Sequence, residues 1–275
     1  MARVSLSTLK TTCGYYGMKG LAKFLHYRLR ARRHIARMPR IYDEVATLRM
    51  IAEQQCSVAR YGDGEIGICL GESATFQVYD KDLASRLRRI LVEDSPVNLL
   101  VCIAPHASSC YSMTPRVRTW AYKFIARRGD SFTGLLDPAR RYGSTFISRP
   151  DAFDLAPDEL TQIRDLWRCV WDRRDILVVT GSGSRFVLEP DLFDNVRSSE
   201  FFHGPGEDAF GRYDEILSRI KAYPKDRLVL IALGPTATVL AADLAAEGYQ
   251  AIDLGHLPSC YNLVKTGNRP AKTGY

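Results

Sequence analysis

The sequence lacks the long apolar runs and the paired cysteines that mark several protein classes. No apolar stretch approaches the roughly 18 residues of a membrane span, and the basic N-terminus has no continuous apolar core of the kind that a secretory signal contains. The seven cysteines form no C-x-x-C pair and are odd in number. Free thiols are therefore favoured over zinc ligands or disulfides, and a reducing cytoplasmic location is expected.

Three common nucleotide-binding or hydrolase motifs are also missing. The stretch Gly181-Ser182-Gly183-Ser184 has Phe186 where G-x-G-x-x-G requires its third glycine, and it lacks the G-K-[ST] ending of a Walker loop. The G-x-S-x-G of serine hydrolases is absent, which argues against acyl transfer. Gly181, Ser182 and Arg185 remain candidates for holding a diphosphate through N–H, hydroxyl and guanidinium groups. The alternative is a tight strand-to-helix turn.

Acidic residues are absent from positions 1–40, which carry ten Lys or Arg. The rest of the chain holds 28 basic and 31 acidic residues, so the net charge of +7 belongs to this segment. Met18, Leu21, Leu25 and Leu29 recur at helical spacing. They predict an amphipathic helix that either lies on an anionic membrane surface or docks on the body with its basic face in solvent. No nucleic-acid-binding motif is visible, and no such partner is expected.

Elsewhere the composition is that of an ordinary globular protein, with 46% hydrophobic and 25% charged residues among 275. Short apolar runs ending at glycine or proline alternate with stretches of helical periodicity. The predicted strands are 57–59, 97–104, 175–179, 200–202, 227–233 and 250–253. The predicted helices are 41–55, 83–92, 116–127, 157–171, 209–222 and 237–246. This alternation predicts an α/β fold with a mostly parallel sheet covered by helices on both faces, preceded by a basic extension over 1–40 and occupying 41–275.

The stretch Arg60-Tyr61-Gly62-Asp63-Gly64-Glu65 carries the strongest chemical pattern. In an extended segment, Asp63 and Glu65 would share one face, and two such carboxylates suit Mg²⁺ or Mn²⁺ shared with substrate phosphates. Arg60 offers a bidentate fork for a phosphate, while Gly62 and Gly64 let a ligand approach the backbone. The alternative is a strand-to-helix turn whose acids cap the next helix.

Further candidates follow other predicted strands, where ligands of parallel sheets bind. Gly234 and Thr236 end one apolar strand and open a helix. His256 follows the last strand and would act as a metal ligand, a proton acceptor or a hydrogen-bonded structural histidine. We favour the ligand role, because three protein ligands hold a metal better than two adjacent acids. Arg149, before Pro150, is a second candidate anion contact or a surface salt-bridge partner.

Residues 60–65 resemble the R-x-G-D-G-E signature of the GT-D-fold glycosyltransferases, the DUF1792 family. The supporting matches, in the family's order, are Phe76-Gln77, Ser144 to Pro150, Asp191 to Asp194, Leu233 to Leu240 and Gly248 to His256. Together they cover roughly residues 57 to 256. Two positions depart from the pattern: Asp208 stands in place of Asn before Ala-Phe, and Leu-Pro-Ser-Cys-Tyr follows His256 in place of an acidic, aromatic continuation.

This resemblance implies a Rossmann-like fold and transfer of a sugar from a nucleotide-sugar such as UDP-glucose to a glycan or glycoprotein. Asp63 and Glu65 would be the metal-binding D-x-E acids. A metal at the departing diphosphate makes a proton donor unnecessary, so the residues fit this chemistry. The rival interpretation is a metal-dependent phosphohydrolase acting on a nucleotide or sugar phosphate. We expect a cytoplasmic protein, peripheral at the inner face of the membrane if residues 1–40 contact lipid.

Overall fold

The computed structural model describes residues 6–93, 98–104 and 109–267. In this part of the chain seven strands form one sheet in the order β3-β2-β1-β7-β6-β4-β5, and every adjacent pair is parallel. The strands are β1 (Ser57–Tyr61), β2 (Leu99–Ile103), β3 (Gly143–Ser144), β4 (Asp175–Gly181), β5 (Ser198–Gly204), β6 (Leu228–Ala232) and β7 (Ala251–Asp253). The predicted parallel sheet is confirmed.

Helices cover both faces of this sheet. They are α1 (Leu6–Ile35), α2 (Glu44–Gln54), α3 (Asp63–Cys69), α4 (Lys81–Val92), α5 (Pro115–Thr133), α6 (Pro157–Trp171), α7 (Pro190–Phe193), α8 (Tyr213–Lys221), α9 (Pro235–Ala246) and α10 (Leu257–Thr266). Short 3-10 turns span Thr145–Ser148, Pro150–Ala152 and Ala209–Arg212. One core cluster packs α3, α4, α5, α8 and α9 against one face, and a second packs α2, α6, α7 and α10 against the other.

The central strands are apolar and have both faces covered, whereas the edge strand β5 is mostly exposed and more polar. β2 and the first four residues of β6 are buried throughout, as expected of parallel strands between two helical layers. From β1 the chain moves through β2 to β3 and then returns across the sheet to β4. β1 and β7 are therefore neighbours near the point where the winding direction changes, and ligands of such sheets bind outside the carboxyl ends there.

Three helices of the structure were not predicted from the sequence, and α7, with four residues, is the shortest of them. α3 contains two glycines among its seven residues, and glycine weakens a helical signal. α10 follows directly on the glycine turn at 255. The predicted helix over 209–222 is a 3-10 turn followed by α8. The predicted strand over 97–104 begins at a position that lies outside the described residues.

The basic N-terminal segment forms α1, which packs along α5. Gly17, at φ +70°, interrupts α1 and separates it into two helical stretches. Phe24 and Ala31 are buried against the body. Within residues 6–93, 98–104 and 109–267, no helix combines the length and the apolar character needed to cross a bilayer.

Candidate functional site

A buried ion pair joins the carboxyl ends of β1 and β7. Arg60 donates from Nη2 to Asp253 Oδ1 at 2.8 Å, from Nε to the Asp253 carbonyl at 2.7 Å, and from Nη1 to Ser148 Oγ at 2.6 Å. The side chains of Arg60 and Asp253 are only 14% and 5% exposed. Gly255, at φ +52°, leaves room for the guanidinium, since a Cβ there would lie 2.0 Å from Nη2. The guanidinium of Arg60, which was expected to bind a phosphate, therefore joins β1 to β7 and to the turn at Ser148.

The two acids of the motif lie in the first turn of α3, and the expected extended conformation is wrong. Gly62 is the N-cap, and Asp63 is the first helical residue. Side chains two positions apart in a helix point roughly 200° apart, so Asp63 and Glu65 do not share a face. Glu65 turns back and accepts a hydrogen bond from the Gly62 N–H at 2.8 Å, while Asp63 is exposed. Glu65 thus has the capping role of the alternative interpretation, favoured because carboxylates stabilise helix N-termini.

The carboxyl group of Glu65 lies in an unfavourable environment for negative charge. Burial and the nearby Asp253 carboxylate raise the pKa of Glu65 to about 7, against the hydrogen bond from Gly62 and the charge of Arg60. Burial also raises the pKa of Asp253, although Arg60 opposes this shift. Near neutral pH a cation beside Glu65 would stabilise its ionised form.

Asp63 and Glu65 supply the oxygen atoms that a hard divalent cation takes, but their side chains diverge in the first turn of α3, and the expected third ligand is not assembled with them. Among the described residues, no group of three or more His, Cys, Asp or Glu side chains could hold a metal ion. His256 is exposed at the start of α10, where its carbonyl accepts a hydrogen bond from the Cys260 N–H. Mg²⁺ commonly uses one or two carboxylates together with substrate phosphates and water, and exposed Asp63 is the carboxylate of the motif that is open to an ion shared in this way.

The loop after β4 is packed tightly against the loop after β5. Ser182 donates to the Gly204 carbonyl from both its N–H and its hydroxyl, each at 2.9 Å. A Cβ on Gly181 would lie 2.9 Å from the Pro205 carbonyl oxygen, and one on Gly206 would lie 2.6 Å from that of Ser182. These glycines permit close contact between loops. The N–H and hydroxyl of Ser182 already have partners, and the side chain of Arg185 is exposed.

The remaining predicted donor contacts lie in different environments. Arg149 makes a bidentate pair with Asp151, from Nε at 2.8 Å and from Nη2 at 3.0 Å. Thr236 is fully buried, and its hydroxyl donates to Gln77 Oε1 at 3.3 Å. Gly234 is exposed at φ +56° as the N-cap of α9. Of these three, Gly234 is the most accessible to a ligand.

The loop over 73–79 lies beside the motif, and its structural role was missed from the sequence. Gln77 accepts a hydrogen bond from the Phe210 N–H, also at 3.3 Å, and its amide donates to Asp208 Oδ1 at 3.4 Å. A Cβ on Gly64 would lie 3.3 Å from Ala74 Cβ, so the loop touches the first turn of α3. Phe76, in the same loop, is 48% exposed. The Phe76-Gln77 match to the family was the signal available.

The same loop explains one departure from the family pattern. Asp208 lies in the left-handed region at φ +48°, which both Asn and Asp tolerate better than other side chains. Its Oδ1 accepts from the Val78 N–H at 2.6 Å. Asn has the same Oδ1 acceptor, so either residue can hold the loop in place.

Comparison with known proteins gives a consistent family. A family model described as "Glycosyltransferase GT-D fold" matches residues 58–272. Glycosyltransferase GlyD of Streptococcus pneumoniae serotype 4 (strain ATCC BAA-334 / TIGR4) is 36% identical over 225 residues, which are 80% of this chain and 27% of that protein. Probable glycosyl transferase Gly of Streptococcus gordonii is 34% identical over 228 residues, or 80% and 32%. The chain thus spans roughly 30% of the length of these curated relatives.

Solved structures show the same similarity. One, described as the highly conserved domain of unknown function 1792 with a distinct glycosyltransferase fold, superposes with a TM-score of 0.77 at 34% identity, covering 89% of this chain and 86% of that one. Another, described as a new glycosyltransferase (DUF1792) from Streptococcus sanguinis, has a TM-score of 0.76 at 31% identity, with 84% and 86% covered.

Proposed function

Because this chain belongs to the glycosyltransferase GT-D fold family, we propose that it is a metal-dependent glycosyltransferase that moves a hexose from a nucleotide-sugar such as UDP-glucose to a glycan or glycoprotein. The observation that carries the proposal is the position of two carboxylates. Asp63 and Glu65 follow β1 at the carboxyl edge of a doubly wound sheet, where such folds bind ligands.

In this proposal Asp63 and Glu65 hold Mg²⁺ or Mn²⁺. When bound, the metal stabilises the negative charge of the departing diphosphate. The Gly62 N–H orients the Glu65 carboxylate, and exposed Asp63 is accessible to solvent and ligand. Arg60 acts as a positioning residue, because its three hydrogen bonds join β1 to Asp253 and Ser148. It holds the end of β1, from which the chain continues into α3 and its two acids.

The donor extends from the acids across the carboxyl edge of the sheet. Gly234 lies at the end of β6, while Gly181, Ser182 and Arg185 lie at the end of β4. β4 is three strands from β1, a distance of roughly 14 Å at the usual strand spacing. An extended nucleotide-sugar can contact both the acids after β1 and the loop after β4, with Arg185 near its charged groups.

Two further residues have proposed roles at the rim. Phe76 stacks on the base or the sugar ring, as exposed aromatic side chains do in nucleotide sites. His256 accepts the proton of the acceptor hydroxyl. We prefer this role to metal ligation, since His256 follows Gly255, which contacts Arg60, yet forms no three-ligand group with the acids.

We also propose a cytoplasmic location. All seven cysteines are free thiols, and Cys110 and Cys169 are exposed. Exposed thiols persist in a reducing compartment and oxidise elsewhere.

Calorimetric titration of UDP in the presence of Mn²⁺ tests the metal site. Asp63→Asn and Glu65→Gln should each weaken Mn²⁺-dependent UDP binding about tenfold or more, because each removes a charged oxygen ligand or its support. Asp158→Asn, an exposed acid in the first turn of α6, is the matched control and should bind normally. Melting temperatures establish that the variants fold. Unchanged UDP affinity in both motif variants would overturn the assignment.

The products from UDP-glucose separate the two enzyme classes. A glycosyltransferase breaks the bond between the sugar and the diphosphate, so it releases UDP as the sugar passes to an acceptor hydroxyl or, without an acceptor, to water. A phosphohydrolase breaks the phosphoanhydride and releases UMP with glucose 1-phosphate. Chromatography of the nucleotide products should show UDP, and accumulation of UMP from the start of the reaction would favour the hydrolase.

A further inference from the structure

One face of α1 docks on α5, and it is not the apolar face expected from the sequence. Phe24 is 1% exposed and packs edge-on against Tyr122, with ring centroids 5.5 Å apart. Ala31 is fully buried. His34 is 2% exposed and fits over Gly129, where a Cβ would lie 2.2 Å from the imidazole. These contacts account for the docking of α1.

The opposite face of α1 exposes an apolar stripe. Met18 is 74% exposed, Leu25 is 36% exposed and Leu29 is 69% exposed, and Ala22 between them is exposed as well. At 100° per residue these four positions fall within an arc of roughly 60°. Leu21, the other member of the predicted stripe, is only partly exposed. Isolated apolar residues are normal on a surface, whereas an aligned series on one helix marks an interaction site.

Positive charge surrounds this stripe. Lys19, Lys23, Arg30 and Arg33 are exposed on one side of it, roughly 60° to 140° around the helix from Met18, and Arg32 is exposed on the other side. Across α1 and α5 together, twelve Lys or Arg stand against a single acid, Asp130. Arg128 pairs with Glu72 and Arg33 pairs with Asp130, and the remaining cations leave the surface formed by the two helices net positive.

We propose that this surface binds an anionic lipid bilayer, with α1 lying in the plane of the interface. Met18, Leu25 and Leu29 would enter the boundary between headgroups and acyl chains, and the flanking cations would contact anionic headgroups. Charge decides against a second copy of the chain, because two such faces would bring like charges together. The surface does not depend on the proposed chemistry.

The orientation of α1 relates this surface to the candidate site. α1 and α5 run in the same direction, since Gly14 and Tyr15 line a surface cavity of about 590 Å³ with Thr114 to Arg116, whereas His34 lies at Gly129. α5 starts after the carboxyl end of β2. The first half of α1 therefore lies toward the edge that carries Asp63. An acceptor carried by the same membrane would meet that edge, a consequence that rests on the proposed function.

Vesicle flotation with the full chain tests the proposal. The protein should float with phosphatidylcholine vesicles that contain phosphatidylglycerol, and it should remain unbound with phosphatidylcholine alone. Added salt should weaken the binding by screening. The variant Met18→Ser/Leu29→Ser should lower the partition coefficient about tenfold or more. The control Val92→Ser/Val187→Ser changes exposed apolar residues elsewhere, 49% and 41% accessible, and should bind as the wild type does.

Each other outcome overturns the proposal. Failure of the wild-type chain to float with anionic vesicles excludes a bilayer as the partner, and so does equal binding of both double variants. If Met18→Ser/Leu29→Ser instead converts a dimer to a monomer in sedimentation analysis while vesicle binding is absent, the stripe is covered by a second copy. Melting temperatures equal to that of the wild type show that both double variants are folded, so that a difference in vesicle binding comes from the changed surface residues.

Discussion

Arg60 makes its three side-chain hydrogen bonds to β7 and to the turn after β3. Two of them go to Asp253, which lies far along the chain but one strand away in the sheet. A buried ion pair of this kind is costly to break, because removal of one partner leaves the other charge buried and uncompensated. The hydrogen bonds of Arg60 thus fix the positions of β1, β7 and the turn after β3 relative to one another.

The raised pKa of Glu65 predicts a pH dependence of stability in the metal-free protein. The pKa rises from 4.5 to about 7 on folding, so the folded state binds more protons between these values. The contribution of Glu65 to the free energy of unfolding should therefore be largest below pH 4.5. It should fall by up to about 3 kcal/mol as the pH rises to about 7. Urea unfolding at several pH values in the presence of a chelator measures the slope.

Glu65→Gln is the control for this pH dependence. The amide keeps an oxygen for the Gly62 N–H but has no titrating proton. It should flatten the dependence between pH 4.5 and 7. Identical slopes for the wild type and the variant would show that Glu65 does not titrate in this window.

At the scale of elements, the loop over 73–79 joins the motif helix to the rest of the site. Gln77 connects it to Thr236 on α9 and to the 3-10 turn before α8. Three segments distant in sequence are held together by a single amide side chain. Phe76, which precedes Gln77 in this loop, is 48% exposed.

Phe76→Ala should weaken nucleotide-sugar binding with little effect on folding. Stacking of a base on an aromatic side chain contributes about 1–3 kcal/mol, so the dissociation constant for UDP-glucose should rise about tenfold. Because Phe76 is 48% exposed, the free energy of unfolding should change by about 0.5 kcal/mol at most. Fluorescence titration and chemical denaturation measure the two quantities.

Phe201→Ala is the matched control for the aromatic position. Phe201 is 41% exposed on β5, the edge strand farthest from β3. Its loss should leave UDP-glucose affinity unchanged. Equal affinities for wild type, Phe76→Ala and Phe201→Ala would remove Phe76 from the donor site.

For the whole molecule, α1 is part of the folded body even though the family match begins at residue 58. Ala31 belongs to the core cluster on its face of the sheet. Deleting residues 1–40 should lower the free energy of unfolding by at least about 3 kcal/mol, because it exposes the surface of α5 that Phe24 and Ala31 cover. Thermal and chemical unfolding measure the effect.

Met18→Ser/Leu29→Ser provides the comparison for this deletion. Both side chains are mostly exposed, so the double variant should unfold like the wild type. If the deletion also leaves the melting temperature unchanged, α1 does not contribute to the stability of the body.

The sequence by itself determined the class of the fold and the position of the motif within it. Apolar runs, glycine ends and helical periodicity are local signals, and they predicted the parallel sheet and the strand that precedes Arg60. They did not predict α3, because its two glycines weaken the helical signal. In this helix Glu65 accepts a hydrogen bond from the Gly62 N–H. Extended and helical backbones place the same two acids differently.

Only the tertiary structure decided which groups meet. It paired Arg60 with Asp253, packed Gly181 against Pro205, and turned the apolar stripe of α1 away from the body. The periodicity of α1 identified an apolar face but carried no information about what would cover it. Such partners lie far apart in sequence, and they are selected by the packing of whole elements rather than by local backbone preference.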